Sequence, residues 1–348
     1  MDIIAKLKEN ENREINALLQ KLRLHEKPLI FFGAGFVGKL AYDLFSVLGI
    51  KPDFFCDNDS KKEGTFFLDT PIISFKTLCE KYTDSNILIT TRAYFKEIRE
   101  QLEAYGLHDL KELIWLESSR HNCYGIKHLY YPSLLKRKED VEKVYDSLAD
   151  DLSKETFYHV ISYRNGIIDD MSPFKSKSIP YFENGIIELS QQEAFIDGGA
   201  YNGDTVREFI KQTSGKFKKI YSFEPDEESY SELVNNVRDI KDIIPMPYGL
   251  WNKKDILKFQ KGLTPEGNRI LDSNYGSTDI PVISIDEAIK EDIPTFIKMD
   301  IEGAELKALE GANQTILKNK PKLAICVYHK PLDIVDIPLY IKQLVPEY

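Results

Sequence analysis

The chain has 348 residues, 42% of them apolar and 29% charged, enough for two domains with separate cores. Its net charge of −10 excludes a surface built to neutralise nucleic-acid phosphates or an anionic membrane. The N-terminus has no apolar signal core and no run reaches membrane-spanning length, so a cytoplasmic protein is expected. Cys56, Cys79, Cys123 and Cys326 show no metal-like pairing, which suits a reduced compartment. The basic run Lys136-Arg137-Lys138 is followed at once by Glu139 and Asp140 and reads as a solvated helix face.

Residues 1–28 place Ile15, Leu18, Leu19 and Leu22 at helical spacing and predict an amphipathic helix. From Leu29 the pattern changes. Leu29-Ile-Phe-Phe32 is a strand, Gly33-Ala-Gly35-Phe-Val-Gly38 a glycine turn, and Leu40, Leu44 and Leu48 mark a helix that Gly49 stops. A second strand, Asp53-Phe-Phe-Cys56, ends in Asp57, about where a dinucleotide site places the acid that holds ribose hydroxyls. The alternation continues through Asn86–Thr90, Glu97–Tyr105 and Leu113–Leu116, so residues 29–118 are expected to form a small Rossmann-like domain on a parallel sheet. The fingerprint admits a nucleotide or nucleotide sugar. The same glycines can also simply pack a helix on a sheet, and nothing there beyond Asp57 offers chemistry. Residues 119–190 read as a helical connector in which Val141, Val144, Tyr145, Leu148 and Leu152 share one helical face. Tyr181-Phe182 sits just ahead of the next strand, to pack or to line a site.

Residues 191–348 carry the second alternating pattern. Phe195-Ile-Asp-Gly-Gly-Ala-Tyr-Asn-Gly-Asp-Thr205 reads as a buried strand ending in an acid, a glycine-rich turn, and a helix opened by Asp204 or Thr205. Glycine at 198, 199 and 203 lets backbone come close to a ligand. Asp197 and Asp204 bracket that turn with negative charge, which opposes a pyrophosphate and favours a cationic ligand. Lys219-Ile-Tyr-Ser-Phe223 is the next strand, and Glu224 at its carboxyl end lies about twenty residues past Gly203, where an acid accepts hydrogen bonds from both ribose hydroxyls. Pro225 and Asp226 start the following helix. Ile243–Tyr248 leads to Gly249, residues 253–283 look like added β structure, and Ser284 with Glu287 forms a capping box. Phe296-Ile-Lys-Met-Asp300 is again a strand ending in an acid. Leu323-Ala-Ile-Cys-Val327 is an unbroken apolar run, expected to be a strand buried on both faces, and delivers Tyr328-His329-Lys330 to its carboxyl end. Asp197, Glu224, Asp300 and His329 should therefore converge on one crevice.

Four motifs stand in order: Ile196-Asp-Gly-Gly-Ala-Tyr-Asn-Gly-Asp-Thr205, Tyr221-Ser-Phe-Glu-Pro-Asp226, Ile297-Lys-Met-Asp-Ile-Glu-Gly-Ala-Glu305 with Leu309-Glu-Gly-Ala312, and Pro321 through the Tyr-His-Lys. Together, over about 186–341, they resemble the FkbM-type methyltransferases, S-adenosylmethionine-dependent enzymes of the class I fold that commonly O-methylate sugars or other hydroxylated natural products. The resemblance implies an α/β chain of two Rossmann-like parallel-sheet domains joined by the helical connector, the second domain having the class I methyltransferase fold. It implies S-adenosyl-L-methionine as cofactor, held by Asp197, Gly198, Gly199, Ala200, Gly203, Asp204, Thr205, Glu224, Pro225 and Gly249, and a small-molecule or glycan acceptor.

His329 is the candidate general base, because an unperturbed imidazole titrates near the working pH, and Asp300 the candidate for positioning acceptor or donor. Glu302 and Glu305 line the acceptor site or stabilise the helix dipole. A divalent ion on Asp300 and Glu302 is an alternative to a base, and no metal is assigned. Class I enzymes normally close with an antiparallel hairpin. Here about twenty residues follow the last strand, so an open sheet edge is expected, either through truncation or to be covered by another segment or subunit. Neither nucleic acid nor membrane is expected as a partner, and homo-oligomerisation is left open. The rival readings are a nucleotide-sugar oxidoreductase run by the front domain, for which Tyr42 and Tyr94 lack an obvious lysine partner, and a ligand-binding protein without turnover.

Overall fold

The computed structural model describes residues 3–8, 13–91, 94–110, 115–117, 124–126, 130–164, 168, 172–174, 176, 179–182, 185–260, 269–271, 278–289, 292–330 and 332–348. The chain divides into two compact units, residues 1–175 with 330–335 and residues 176–329 with 336–348. No helix among the described residues is long and apolar enough to cross a membrane. Cys56, Cys79 and Cys326 are free thiols, and Cys123 lies outside the described residues.

The first unit begins with α1 (Ile3–Lys8) and α2 (Arg13–Leu24), both within the segment expected to be helical; residues 9–12 between them lie outside the described residues. A five-stranded sheet follows, built from β1 (Leu29–Phe32), β2 (Phe54–Asp57), β3 (Phe66–Phe67), β4 (Thr70–Ser74) and β5 (Asn86–Ile89) in the order β3-β4-β2-β1-β5. All pairs are parallel except β3 with β4. Every residue of β1 is buried, which is why its sequence is apolar without alternation. Between strands run α3 (Phe36–Val47), α4 (Phe75–Lys81) and α5 (Phe95–Ala104), and α3 turns Leu40, Ala41, Leu44 and Phe45 inward. The strand expected at Leu113–Leu116 does not extend this sheet. Its described part, β6 (Trp115–Glu117), pairs antiparallel with β7 (Tyr124–Ile126), while Asp109 makes the next bridge to β5; Leu113 and Ile114 lie outside the described residues.

Among the described residues of this unit, α6 (Tyr130–Lys136), α7 (Lys138–Ser147), α8 (Asp151–Arg164) and a short 3-10 turn at Ser172–Phe174 follow. Val141, Val144 and Tyr145 are buried on α7 as expected, but Leu152 is 69% exposed. Leu148 ends α7 in extended backbone (φ −69°, ψ 131°), which breaks the helical phase before α8 starts.

In the second unit β8 (Ala194–Gly198), β9 (Lys219–Phe223), β10 (Ile243–Met246), β15 (Phe296–Met299) and β16 (Lys322–Ile325) form a wholly parallel sheet in the order β10-β9-β8-β15-β16. The connecting helices are α9 (Asp204–Gln212), α10 (Glu227–Val237), α11 (Ile285–Ala288), α12 (Glu305–Glu310), α13 (Asn313–Asn319) and α14 (Asp333–Leu344), the last starting in the segment grouped with the first unit. A smaller sheet, order β11-β14-β12-β13, comprises β11 (Gly249–Leu250), β12 (Asp255–Gln260), β13 (Arg269–Leu271) and β14 (Thr278–Ile283). Successive strand residues point to opposite faces. Phe195, Ile220 and Phe296 thus enter one apolar cluster with Val206, Phe209 and Leu233, while Ile196, Tyr221 and Ile297 enter another with Leu309, Ile316 and Ile337. The molecule is α/β, with parallel strands in both main sheets.

One expectation needs correcting. The Leu323–Val327 run predicts a strand buried on both faces, yet β16 closes the sheet's order and its four residues are only half-buried. An edge position leaves one side of the strand without a sheet neighbour.

Candidate functional site

The site lies at the carboxyl ends of β8, β9, β15 and β16 and rests on a buried ion pair. Asp197 in β8 and Lys298 in β15 stand opposite each other in register, 0% and 2% exposed, with Lys298 Nζ 2.9 Å from Asp197 Oδ1. The same ammonium donates to the carbonyls of Gly198 (3.0 Å) and Gly199 (2.9 Å). Burial pushes the Lys298 pKa down, but the carboxylates of Asp197 and Asp300 outweigh it and hold it above the ordinary lysine value. Lysine 298 was not singled out from sequence. The available signal was a lone lysine inside Phe296-Ile-Lys-Met299, a strand otherwise wholly apolar, since a buried ammonium requires a partner.

This pair revises the electrostatics expected of the turn. Asp197 is already matched by an ammonium, so the negative charge that faces outward comes from Asp204, which is exposed at the start of α9 and accepts the Thr205 N–H at 2.7 Å. The room at Gly199 also serves the protein: φ is +73° and a Cβ there would stand 2.0 Å from the Asp300 carbonyl oxygen. Gly203, φ +82°, is the residue before α9, and Ala200 is buried beneath the turn with its N–H on the Phe223 carbonyl. Gly249 lies in β11, whose Leu250 packs against Gly198.

Glu224 follows β9 and is 8% exposed. Its Oε2 accepts the Tyr201 N–H and its Oε1 the Asp226 N–H, both at 2.9 Å, so one carboxylate joins the β8 turn to the start of α10 across Pro225. Burial pushes its pKa up to about 7 despite these bonds. Tyr201 itself is held at φ +46°, an uncommon conformation for a tyrosine.

Beyond β15 and β16 a second group forms around His329, 1% exposed. Its Nδ1 lies 2.9 Å from Glu305 Oε1, and its Nε2 lies 3.3 Å from Asp300 Oδ1 and 3.6 Å from Glu302 Oε2. Asp300 accepts hydroxyls from Tyr181 (2.6 Å) and Tyr328 (2.7 Å), one on each oxygen. Burial pushes both phenols far up, so they act as donors. The Asp300 carboxyl lies below its usual range because His329, Lys298 and the two hydroxyls outweigh burial. Glu302 takes φ +57°, a second strained position at the site. Phe182, by contrast, is buried in the apolar core.

His329 is not the unperturbed imidazole expected of a general base. Burial lowers its pKa, but Glu305, Glu302 and Asp300 more than offset this and raise it to about 9, so the imidazole holds its proton at neutral pH. A group that is already protonated accepts no proton from an alcohol.

In the front unit the glycine turn packs against the protein. A Cβ at Gly38 would stand 2.2 Å from the Gly33 carbonyl oxygen, and Asp57 accepts the Ala34 N–H (3.0 Å) and the Lys62 ammonium (2.7 Å) on one oxygen.

These positions can be set beside known proteins. The family described as "Methyltransferase FkbM domain" matches residues 197–345, from the acid of the β8 turn to the end of the second unit's last helix. The chain carries an FkbM-type methyltransferase domain. The crystal structure of methyltransferase FkbM from Methylobacillus flagellatus KT aligns with a TM-score of 0.53 at 25% identity, covering 92% of this chain and 85% of that one. That coverage takes in the front unit as well as the FkbM domain. The hexuronic acid methyltransferase AglP of Haloferax volcanii is 27% identical over 160 residues, 44% of this chain. The match spans 66% of AglP, a little under two thirds of it.

Proposed function

We propose that the protein is an S-adenosyl-L-methionine-dependent methyltransferase acting on a hydroxyl of a sugar, polysaccharide or similar acceptor. The observation that carries this reading is Glu224: a nearly buried acid at the end of β9, in no ion pair among the described residues, with a pKa of about 7. A ribose diol donating to its remaining lone pairs would stabilise the charge that burial disfavours. The donor set suits a nucleoside without phosphates better than a dinucleotide, since Asp204 and Glu224 bring two carboxylates to the turn, Lys298 beneath it is engaged with Asp197, and the Arg207 guanidinium donates to the Asn202 carbonyl oxygens.

The bound cofactor would supply an electrophilic methyl group. Glu224 and the backbone of Gly198–Gly203 hold its nucleoside, while the Lys298–Asp197 pair keeps that backbone in place. Tyr181 and Tyr328 fix the Asp300 carboxylate, which is about a quarter exposed and can orient an acceptor hydroxyl. Orientation of this kind supplies much of the acceleration of a displacement at carbon. The name of the Haloferax relative supports an acidic sugar as acceptor, and the free thiols support a cytoplasmic location.

Calorimetry with S-adenosylhomocysteine tests the reading. The native chain should bind it, Glu224→Ala should bind at least about tenfold more weakly because a charge-assisted bidentate contact is lost, and Asp57→Asn should bind unchanged. Labelled methyl should then pass to hexuronate-containing oligosaccharides. Binding of NAD alone, removed by Asp57→Asn, would instead place the working site in the front unit.

A further inference from the structure

The charges around His329 exceed what the mechanism above uses. Three carboxylates, Asp300, Glu302 and Glu305, surround one imidazole, and Lys298, whose ammonium also acts on Asp300, is engaged with Asp197. Glu305 and His329 are 0% and 1% exposed, yet Glu305 Oε2 and both ring nitrogens of His329 make no hydrogen bond. Nε2 lies 3.3 Å from Asp300 Oδ1 and 3.6 Å from Glu302 Oε2, and one ligand atom each of Asp300, Glu305 and His329 falls within 4.8 Å of the other two. Opposite oxygen ligands of a divalent cation stand about 4–5 Å apart. An imidazole with carboxylates is also a donor set that first-row divalent ions accept.

We infer that Asp300, Glu302, Glu305 and His329 form a binding site for a first-row divalent cation such as Mn²⁺. His329 ligates through Nε2. An imidazole ligates only in its neutral form, so the ion takes the place of a ring proton, which leaves to solvent, while Glu305 Oε1 lies 2.9 Å from the other ring nitrogen, Nδ1. Tyr181 and Tyr328 hold Asp300 from outside the ligand set, as outer partners of metal carboxylates do. In the sequence only Asp300 and Glu302 stand close enough to suggest a pair of ligands. The fold adds the buried imidazole from the end of β16 and Glu305 from α12.

The site's role rests on the methyltransferase reading. Asp300 and Glu302 side chains are 24% and 21% exposed, so the cation has an open side on which an acceptor hydroxyl can bind. A hydroxyl on a divalent cation loses its proton to water more readily, so the acceptor can be activated without a protein base. An acidic sugar, otherwise repelled by these carboxylates, is drawn in by the same ion.

The test is electron paramagnetic resonance of Mn²⁺ titrated into the full chain without donor or acceptor, so it stands apart from methyl transfer. The expected result is one bound ion per chain, with affinity reduced about 10–100-fold in Glu302→Gln and in His329→Gln. Glu302 is partly exposed, so its variant should fold; circular dichroism checks that, and Mn²⁺ should raise the melting temperature of the native chain more than that of Glu302→Gln. Absence of binding at millimolar Mn²⁺ and Zn²⁺, or equal binding by native chain and folded Glu302→Gln, overturns the proposal. Either result leaves the S-adenosylhomocysteine test untouched.

Discussion

The two units repeat one local plan with different endings. Each has a parallel strand, a glycine turn, a helix, and an acid at the end of the neighbouring strand: Asp57 in the first, Glu224 in the second. Asp57 is paired with the Lys62 ammonium and its oxygen also takes the Ala34 N–H, so its charge is balanced within the turn. Glu224 receives only backbone N–H groups and carries a raised pKa. The cation in the second unit sits one layer lower, under the turn, on Asp197. An acid matched by an ammonium is part of the scaffold, whereas a buried acid without one has hydrogen-bonding capacity that a ligand can complete.

The largest effect should come from breaking the lower pair. Lys298→Met leaves Asp197 as an uncompensated charge at 0% exposure, and removing one member of a buried ion pair costs about 3–5 kcal/mol. Urea unfolding followed by fluorescence should show that loss. Lys298→Met combined with Asp197→Leu should recover most of it, because the stranded charge is gone. If the double variant is as unstable as the single one, the lysine's bonds to the Gly198 and Gly199 carbonyls matter more than the ion pair.

An intermediate effect should appear in pH dependence. With the Glu224 pKa raised to about 7, the protonated form is favoured in the folded chain. This group's contribution to stability is therefore greatest below the ordinary glutamate range and is lost as pH rises through about 7. A ribose diol needs the ionised form, so ligand binding runs the other way. Affinity for S-adenosylhomocysteine should fall by up to about tenfold per pH unit below pH 7, with proton release seen as a buffer-dependent binding enthalpy. A flat profile between pH 6 and 8 would remove Glu224 from the nucleoside site.

Much of this site is legible in the sequence because strand ends are. Asp197, Glu224, Asp300 and His329 each close a short apolar run, and open parallel sheets put such ends on one side. What a sequence cannot supply is who faces whom across strands. Lys298 lies about a hundred residues from Asp197, and only sheet register makes them partners. The imidazole's protonation was unreadable for the same reason: Glu302 and Glu305 approach it from a different connection of the sheet. The half-buried β16 and the exposed Leu152 show the converse limit, since an apolar run does not reveal whether its neighbour is a strand or a chain break in helical phase.

The smallest effect should fall at the counterpart of Lys298 in the front unit. Lys62 and Asp57 are 24% and 15% exposed, so water screens their attraction, and Lys62→Met should cost only about 0–1 kcal/mol. The Ala34 N–H keeps its bond to Asp57 in that variant, which leaves the turn's backbone satisfied. The same urea experiment that reads Lys298→Met reads this one. A loss as large as that of Lys298→Met would mean that the front pair is as desolvated as the rear one. Asp57 would then belong to the scaffold as firmly as Asp197, and the case for any ligand at the front glycine turn would weaken further.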